Sequence, residues 1–158
     1  MSRPTREQWA MELAQVTARR STCCRRQVGC VLLNAHGHVL STGYNGVAAG
    51  QPHCNYHDPY CPEGLPFACE GAHAVSGTQL DKCQAIHAEQ NALLQCKNVY
   101  EIHTAYVTTS PCMTCTKLLL NTSCQRIVYL EEYPHSQAQE LWTLSGRSWS
   151  NWPNFSQP

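Results

Sequence analysis

Residues 105–120 read AYVTTSPCMTCTKLLL, and their order of residue types sets the architecture. Ala105 to Thr109 is short, β-branched and aromatic, which predicts a strand. Ser110-Pro111 breaks it. Pro111 to Leu120 then predicts a helix, with proline near the first turn, where a missing N–H costs nothing. Downstream, Arg126 to Leu130 (RIVYL) predicts another strand and His135 to Leu144 a helix. Upstream, Ile86 to Cys96 (IHAEQNALLQC) carries strong helix formers, with apolar positions at 86, 93 and 94. Val28 to Leu33 and Val39 to Tyr44 flank the polar turn His36-Gly37-His38 and predict a β-hairpin. Gly43-Tyr44-Asn45-Gly46 ends its second strand in a turn. Arg6 to Arg20 spaces Trp9, Leu13, Val16 and Arg20 as an amphipathic helix does. A hairpin followed by α, β, α, β, α predicts an α/β protein, a three-layer α/β/α sandwich with a mixed central sheet.

The whole of residues 1–158 is expected to form one domain with a sizeable core. Two stretches stand apart. Residues 47–82 are rich in proline, glycine, histidine and cysteine and lack periodicity. A loop of that length is uncommon unless something orders it, and a metal is one such agent. Residues 145–158 form a Ser/Asn/Pro-rich tail holding Trp149, Trp152 and Phe155, aromatics expected to dock on the body or on a neighbouring subunit.

The 11 basic and 11 acidic residues balance, and only 14% of the chain is charged. That argues against a protein that tracks a phosphate backbone, and leaves room for a small anionic ligand held by a few local cations. The 11 cysteines are the compositional outlier. A secreted disulfide scaffold would be shorter, carry an even number, and follow a signal peptide, whereas Met1 to Gln8 is polar. No apolar run approaches the roughly 20 residues of a membrane span. The expected setting is a reducing cytoplasm, with cysteines serving as thiols, core residues or metal ligands.

Two short elements carry the chemistry: His87-Ala88-Glu89 and Pro111-Cys112-Met113-Thr114-Cys115. Each opens a predicted helix. Two cysteines at C-x-x-C on a first turn can face one metal, and a distant histidine makes three ligands. Three ligands with a fourth position left for water is the pattern of catalytic zinc. Helix N-termini favour the thiolate form that ligation needs. Glu89, two residues past the histidine, can reach the water without ligating the metal. Zinc lowers that water's pKa toward about 7, and the carboxylate can take its proton and deliver it to a ring nitrogen. Alone, either element is a weak signal, since C-x-x-C also occurs in redox pairs and zinc knuckles. Together and in this order they form the H-x-E…P-C-x-x-C signature of zinc nucleobase deaminases.

From about Arg20 to Tyr133 the chain resembles the deoxycytidylate (dCMP) deaminase family of the cytidine deaminase-like superfamily. The matching stretches are Ser21-Thr22-Cys23, Val28-Gly29, Ser41 to Gly46, His53-Cys54, Ile86 to Leu94, Tyr106 to Cys115 and Arg126 to Tyr129. The G-Y-N-G element, Gly43 to Gly46, is the discriminating one, because free cytidine deaminases and tRNA adenosine deaminases differ there. The resemblance implies hydrolysis of dCMP to dUMP and ammonia, which supplies dUMP for thymidylate synthesis. It implies that Asn45 binds the deoxyribose hydroxyl, that the backbone around Ala88 and Ser110 meets the pyrimidine edge, and that Tyr133 lies against the base. Asn45 also reads as a turn residue with positive φ, and Tyr133 as a strand-end core aromatic. Several relatives, as in phages and bacteria, carry a second, structural zinc. Cys23, Cys54, Cys69 and Cys83 occupy the positions that look equivalent, with His57, Cys61 and His73 open as alternatives for the fourth place. Cys24, Cys30, Cys96 and Cys124 then read as small buried hydrophobes. Relatives assemble as hexamers or smaller homo-oligomers. Many respond to dCTP and dTTP with magnesium, at a regulatory site that involves Gly43, Tyr44, Asn45 and Gly46.

The residues that hold the substrate phosphate stay open among Arg25, Arg26 and Lys117, with Arg20 and Arg126 unassigned. Two alternative functions are a zinc deaminase of another cytosine or adenine substrate (free or 5-modified deoxycytidine nucleotides, dCTP, tRNA) and a non-enzymatic zinc module. A polynucleotide substrate would need a basic, aromatic-lined groove, and residues 142–155 supply aromatics with only Arg147 as charge. A non-enzymatic module leaves the placement of Glu89 without a reason.

Overall fold

The computed structural model describes residues 2–23, 25–51, 53, 84–133 and 137–152. Its elements run α1 (Arg6–Ala18), β1 (Gly29–Leu33), β2 (Val39–Tyr44), α2 (Ala88–Gln95), β3 (Thr104–Thr109), α3 (Met113–Leu120), β4 (Arg126–Glu131), α4 (Ala138–Leu144) and β5 (Ser148–Asn151). The five strands form one sheet in the order β2-β1-β3-β4-β5. The β1 strand pairs antiparallel with both β2 and β3. The β3, β4 and β5 strands run parallel. The sheet is therefore mixed, as expected.

Two apolar clusters divide its faces. On one, Ala10, Met11 and Ala14 of α1 meet Val31, Leu33, Tyr106 and Val128. On the other, Ala88 and Ala92 of α2, Leu119 of α3 and Trp142 of α4 meet Cys30, Leu32, Ala105, Val107 and Ile127. Alternation along each strand sends successive side chains to opposite faces, so α1 covers one side and the other three helices cover the second. This is the three-layer α/β/α sandwich. Among the described residues, no helix is long and apolar enough to cross a membrane.

Several local expectations change. The helix α1 buries Ala10, Met11, Ala14 and Ala18, while Val16 is 60% exposed. Apart from Met11 its buried stripe is alanine, because the helix lies against Gly29: a Cβ there would sit 2.0 Å from the Ala14 carbonyl oxygen. A capping box starts α1, with the Thr5 hydroxyl accepting from the Gln8 N–H and the Gln8 side chain accepting from the Thr5 N–H. Likewise α2 buries Ala88 and Ala92, and Leu94 is 76% exposed. The expected tail contains a strand: β5 pairs with β4 from Arg126↔Ser148 to Tyr129↔Asn151. Its serine and asparagine content hid it, since an edge strand gains its order from backbone pairing rather than from an apolar pattern. Trp149 packs on the three-helix side and Trp152 on the α1 side, so these tail aromatics dock on the body. Residues 134–136, where the last helix was expected to begin, and 153–158 lie outside the described residues.

One contact positions the chemistry. The α2 backbone passes so close to β2 that a Cβ at Gly43 would lie 2.3 Å from both the Ala88 oxygen and the Ala92 nitrogen. Beside it, the Ser41 hydroxyl donates to the Ala92 carbonyl at 2.7 Å, and the Asn91 side-chain amide donates to the Tyr44 carbonyl at 2.8 Å. Replacing Gly43 by alanine forces α2 off the strand. The expected cost is about 1–3 kcal/mol, as for overpacking of a tight core, read as a lowered midpoint in thermal unfolding. An unchanged midpoint would show that the helix can shift freely there.

Candidate active site

The register of the strands brings distant segments to one end of the sheet. Gly29 at the start of β1 pairs with Tyr44 at the end of β2, and the Gly29 N–H donates to the Thr108 hydroxyl near the end of β3. The exits of β2, β3 and β4 and the entrance to β1 thus share an edge, and ligands in open α/β sheets bind outside the carboxyl ends of strands. Gly46 and Ile86 form an isolated antiparallel bridge, with N–H to carbonyl contacts of 3.0 and 2.8 Å. Ile86 is therefore bridge rather than helix, and the next residue, His87, becomes the N-cap of α2. The Gln90 side chain accepts from the His87 N–H at 2.9 Å and fixes that start. At the end of β3, Ser110-Pro111 leads to Cys112, the N-cap of α3. Pro111 thus precedes the cap instead of opening the helix, and Cys115 falls in the first turn.

His87, Cys112 and Cys115 meet where these two helices begin. The His87 Nδ1 lies 3.4 Å from each sulfur. Zinc bonds of about 2.0–2.1 Å to nitrogen and 2.3 Å to sulfur at a tetrahedral angle require an N···S separation of about 3.5 Å. The three side chains therefore fit one zinc ion. Cys115 is fully buried, Cys112 partly, and His87 faces solvent, so the site is closed below and open above. The Cys115 thiol beside it pulls the Cys112 thiol down to about 4, with His87 assisting. The same contact, together with burial, pushes the Cys115 thiol up. Glu89 is 4% exposed, and burial raises its carboxyl above the ordinary carboxylate range. It stands in the first turn of α2 beside the three ligands, within hydrogen-bonding reach of the Cys115 thiol.

Among the described residues, the other expected site residues lie at the same end of the sheet. Asn45 is buried at 8% exposure, and its side chain clamps two strands' ends. Its Oδ1 accepts from the Val28 N–H at 2.8 Å and its Nδ2 donates to the Arg26 carbonyl at 2.7 Å. Gly43 is packed beneath α2, and a Cβ on Gly46 would meet the Thr22 hydroxyl at 2.7 Å. Ala88 sits at the α2–β2 contact. Ser110 is buried; its N–H donates to the Glu131 carbonyl at 2.8 Å, and its hydroxyl accepts from the Tyr133 N–H at 2.6 Å. Tyr133 is half-buried, and the Arg26 guanidinium lies over its ring at 5.7 Å. Cys23 is buried in the segment leading to β1. Cys54, Cys69 and Cys83, with the alternatives His57, Cys61 and His73 and the rest of 54–82, lie outside the described residues, as does Cys24. Cys30 and Cys124 are buried core thiols as expected, whereas Cys96 is half-exposed. Sequence reading missed Asn91, Thr22 and Thr108 as braces of the site. The only signal for this packing was the alanine spacing of α2 opposite a strand glycine.

A sandwich that brings a histidine and a C-x-x-C pair to two helix starts, with a buried glutamate between them, defines the class of zinc-dependent nucleobase deaminases. Residues 4–131 match the cytidine and deoxycytidylate deaminase zinc-binding region, and the chain belongs to that family. It is 38% identical over 133 residues to the deoxycytidylate deaminase of Mycobacterium phage D29, covering 84% of this chain and 99% of the phage protein. It is 37% identical over 133 residues to the deoxycytidylate deaminase of Schizosaccharomyces pombe, covering 83% of this chain but only 38% of the yeast protein. The chain therefore spans well under half of the length of that relative. The dCMP deaminase of cyanophage S-TIM5, solved with dCMP and dUMP, shares the fold with a TM-score of 0.70 at 21% identity, over 96% of this chain and 99% of that one.

Removing one ligand should remove the catalytic metal. Cys115→Ala and His87→Ala are expected to purify with one zinc equivalent fewer per chain than the parent, by elemental analysis, while far-UV circular dichroism stays unchanged. Undiminished zinc in both variants would place the ion elsewhere.

Proposed function

We propose that this chain hydrolyses dCMP to dUMP and ammonia. The observation that carries the reading is the buried Glu89 carboxyl beside the His87, Cys112 and Cys115 cluster. Zinc held by those three side chains would supply Lewis acidity, lowering the pKa of bound water toward about 7. Glu89 supplies the proton traffic. Its carboxylate takes a proton as water adds to C4 of the cytosine, and passes it to N3 of the ring. It then moves the remaining hydroxyl proton to the C4 amino group, which leaves as ammonia while the C4 carbonyl of uracil forms. Burial keeps bulk water from exchanging with the carboxyl between these transfers, and the α2–β2 contact holds its backbone in place.

The choice of dCMP is supported by the G-Y-N-G turn, by the deoxycytidylate deaminases among the relatives, and by a net charge of zero. In this reading Asn45 meets the deoxyribose hydroxyl, the backbone at Ala88 and Ser110 meets the pyrimidine edge, and Tyr133 meets the base. Cys23, with Cys54, Cys69 and Cys83, holds a second, structural zinc that orders residues 47–82 as an insertion in a single domain spanning 1–158. Elemental analysis of the parent should then give two zincs per chain; a single zinc sinks this second site. The enzyme works in the cytoplasm as a homo-oligomer of six chains or fewer and feeds dUMP to thymidylate synthesis. dCTP with magnesium activates it and dTTP inhibits it through the Gly43–Gly46 turn.

Glu89→Gln separates chemistry from metal binding. It should keep zinc and fold and lose about 10²–10⁴-fold in kcat, the range for removal of a general acid–base group. The assay is ammonia release from a panel of dCMP, CMP, deoxycytidine, dCTP and 5-methyl-dCMP, run with and without dCTP–magnesium. Retained activity in Glu89→Gln overturns the mechanism. A response to deoxycytidine alone overturns dCMP as substrate while sparing the zinc chemistry.

A further inference from the structure

We propose that the cleft between the start of α1 and the β1–β2 turn is a nucleotide site separate from the zinc centre, with the phosphates on Arg3 and Arg6 and the base against Trp9.

The cleft lies at the far end of the sheet. The β1 strand ends there at Leu33 and β2 begins there at Val39, whereas Gly29 and Tyr44 mark the end that carries the zinc ligands. Its volume is about 610 Å³, within the ~300–1,000 Å³ of small-ligand sites. Arg3, Arg6, Trp9, His36 and Gly37 line it, and among the described residues none of its lining side chains is acidic. Arg6 and Trp9, one turn apart on α1, share a helix face, and His36 and Gly37 come from the turn opposite.

The positive charge in the cleft is uncommitted. Glu7, the acid next to Arg6, is taken by Arg126, and among the described residues no carboxylate pairs with Arg3 or Arg6. The Thr5 hydroxyl and N–H are both used by the capping box. The donors offered to a ligand are therefore side chains, not the helix start. The turn holds one of them in place: a Cβ on Gly37 would lie 2.4 Å from Arg6 Nε and 2.7 Å from its Cζ, so the guanidinium rests against the glycine. The His36 ring is steadied by that of His38, 6.0 Å away between centroids. A smaller recess of about 270 Å³ on the other side of Arg6 contains Glu7 and Arg126 and is already charge-paired.

These side chains select an anion that also carries an aromatic ring. Guanidinium forks match the several oxygens of a phosphate chain. Trp9 is 37% exposed, and an accessible indole offers a face on which any base stacks. Inorganic phosphate would leave that face unused. A polynucleotide would need a basic track, which 11 basic residues balanced by 11 acidic ones do not supply. The site stands apart from the deaminase reading, because the two clefts occupy opposite ends of the sheet.

The test is calorimetric titration of the zinc-loaded chain with ATP, inorganic triphosphate and a single-stranded DNA oligonucleotide. The parent should bind ATP, more weakly as salt rises. The double variant Arg3→Gln/Arg6→Gln should lose ATP affinity about tenfold or more, as for loss of charge-assisted hydrogen bonds. Trp9→Ala should lose about fivefold for ATP, the lower end for base stacking, and bind triphosphate as the parent does. Arg19→Gln, the same change of charge at the other end of α1, should bind ATP as the parent does. Every substituted side chain is exposed, so the thermal midpoints should match the parent's. A parent that does not bind ATP overturns the proposal, and so does unchanged ATP affinity in either the double variant or Trp9→Ala. A loss in Arg19→Gln equal to that in the double variant also overturns it, because it marks diffuse charge. Tighter binding of the oligonucleotide than of ATP through the same arginines overturns the nucleotide as occupant.

Discussion

The contact between α2 and β2 at Gly43 governs the geometry of the site. A helix packed on a sheet through ordinary side chains stands about 10 Å away, whereas here backbone meets backbone, with room for no Cβ on the strand side. Ser41 and Asn91 then add hydrogen bonds between the two elements that a more distant helix could not make. The first turn of α2, with His87 and Glu89 at its mouth, is packed directly on the sheet. A carboxyl that is to move protons has to be held closely in place, and under the proposed reading this packing supplies that constraint to Glu89 from the layer beneath.

The same economy of small residues recurs on the other face, where α1 lies against Gly29 through Ala14 and Ala18. Both helix–sheet contacts trade apolar bulk for proximity. The bulk is supplied elsewhere: Trp142, Ile102, Leu119 and Ile127 fill the three-helix side, and Met11, Leu33, Tyr106 and Val128 fill the other. Trp142 also donates its indole N–H to the Ser148 carbonyl at 2.8 Å, tying α4 to the start of β5. The edge strand thus extends the sheet along β4 from Arg126 to Tyr129.

Electrostatically, the centre concentrates what the rest of the chain avoids. The surface is sparsely charged and balanced, but at one end of the sheet two helix N-termini, two cysteines, a histidine and a buried carboxyl converge. The helix starts favour anionic sulfur, and a zinc ion completes the balance. Glu89 is kept out of the ligand set by its place two residues into α2, which directs it beside the triad rather than into it.

The sequence by itself determined the layer order, four of the five strands and the His87, Cys112 and Cys115 grouping, because each is written in local signals: alternation, helix formers, and H-x-E and P-C-x-x-C at helix starts. It also pointed to the family through G-Y-N-G. Only the tertiary structure decided which helix faces are buried, since a glycine on a neighbouring strand lets alanines win over Leu94 and Val16, a preference invisible along one helix. It decided that residues 148–151 are a strand, because backbone pairing to β4, not composition, orders them. It decided that Asn45 ties Arg26 and Val28 to the end of β2 through partners 17 and 19 residues away. And it laid the Arg26 guanidinium over the Tyr133 ring, because long-range pairing, which no local pattern encodes, brings the loop before β1 against the exits of β2 and β4.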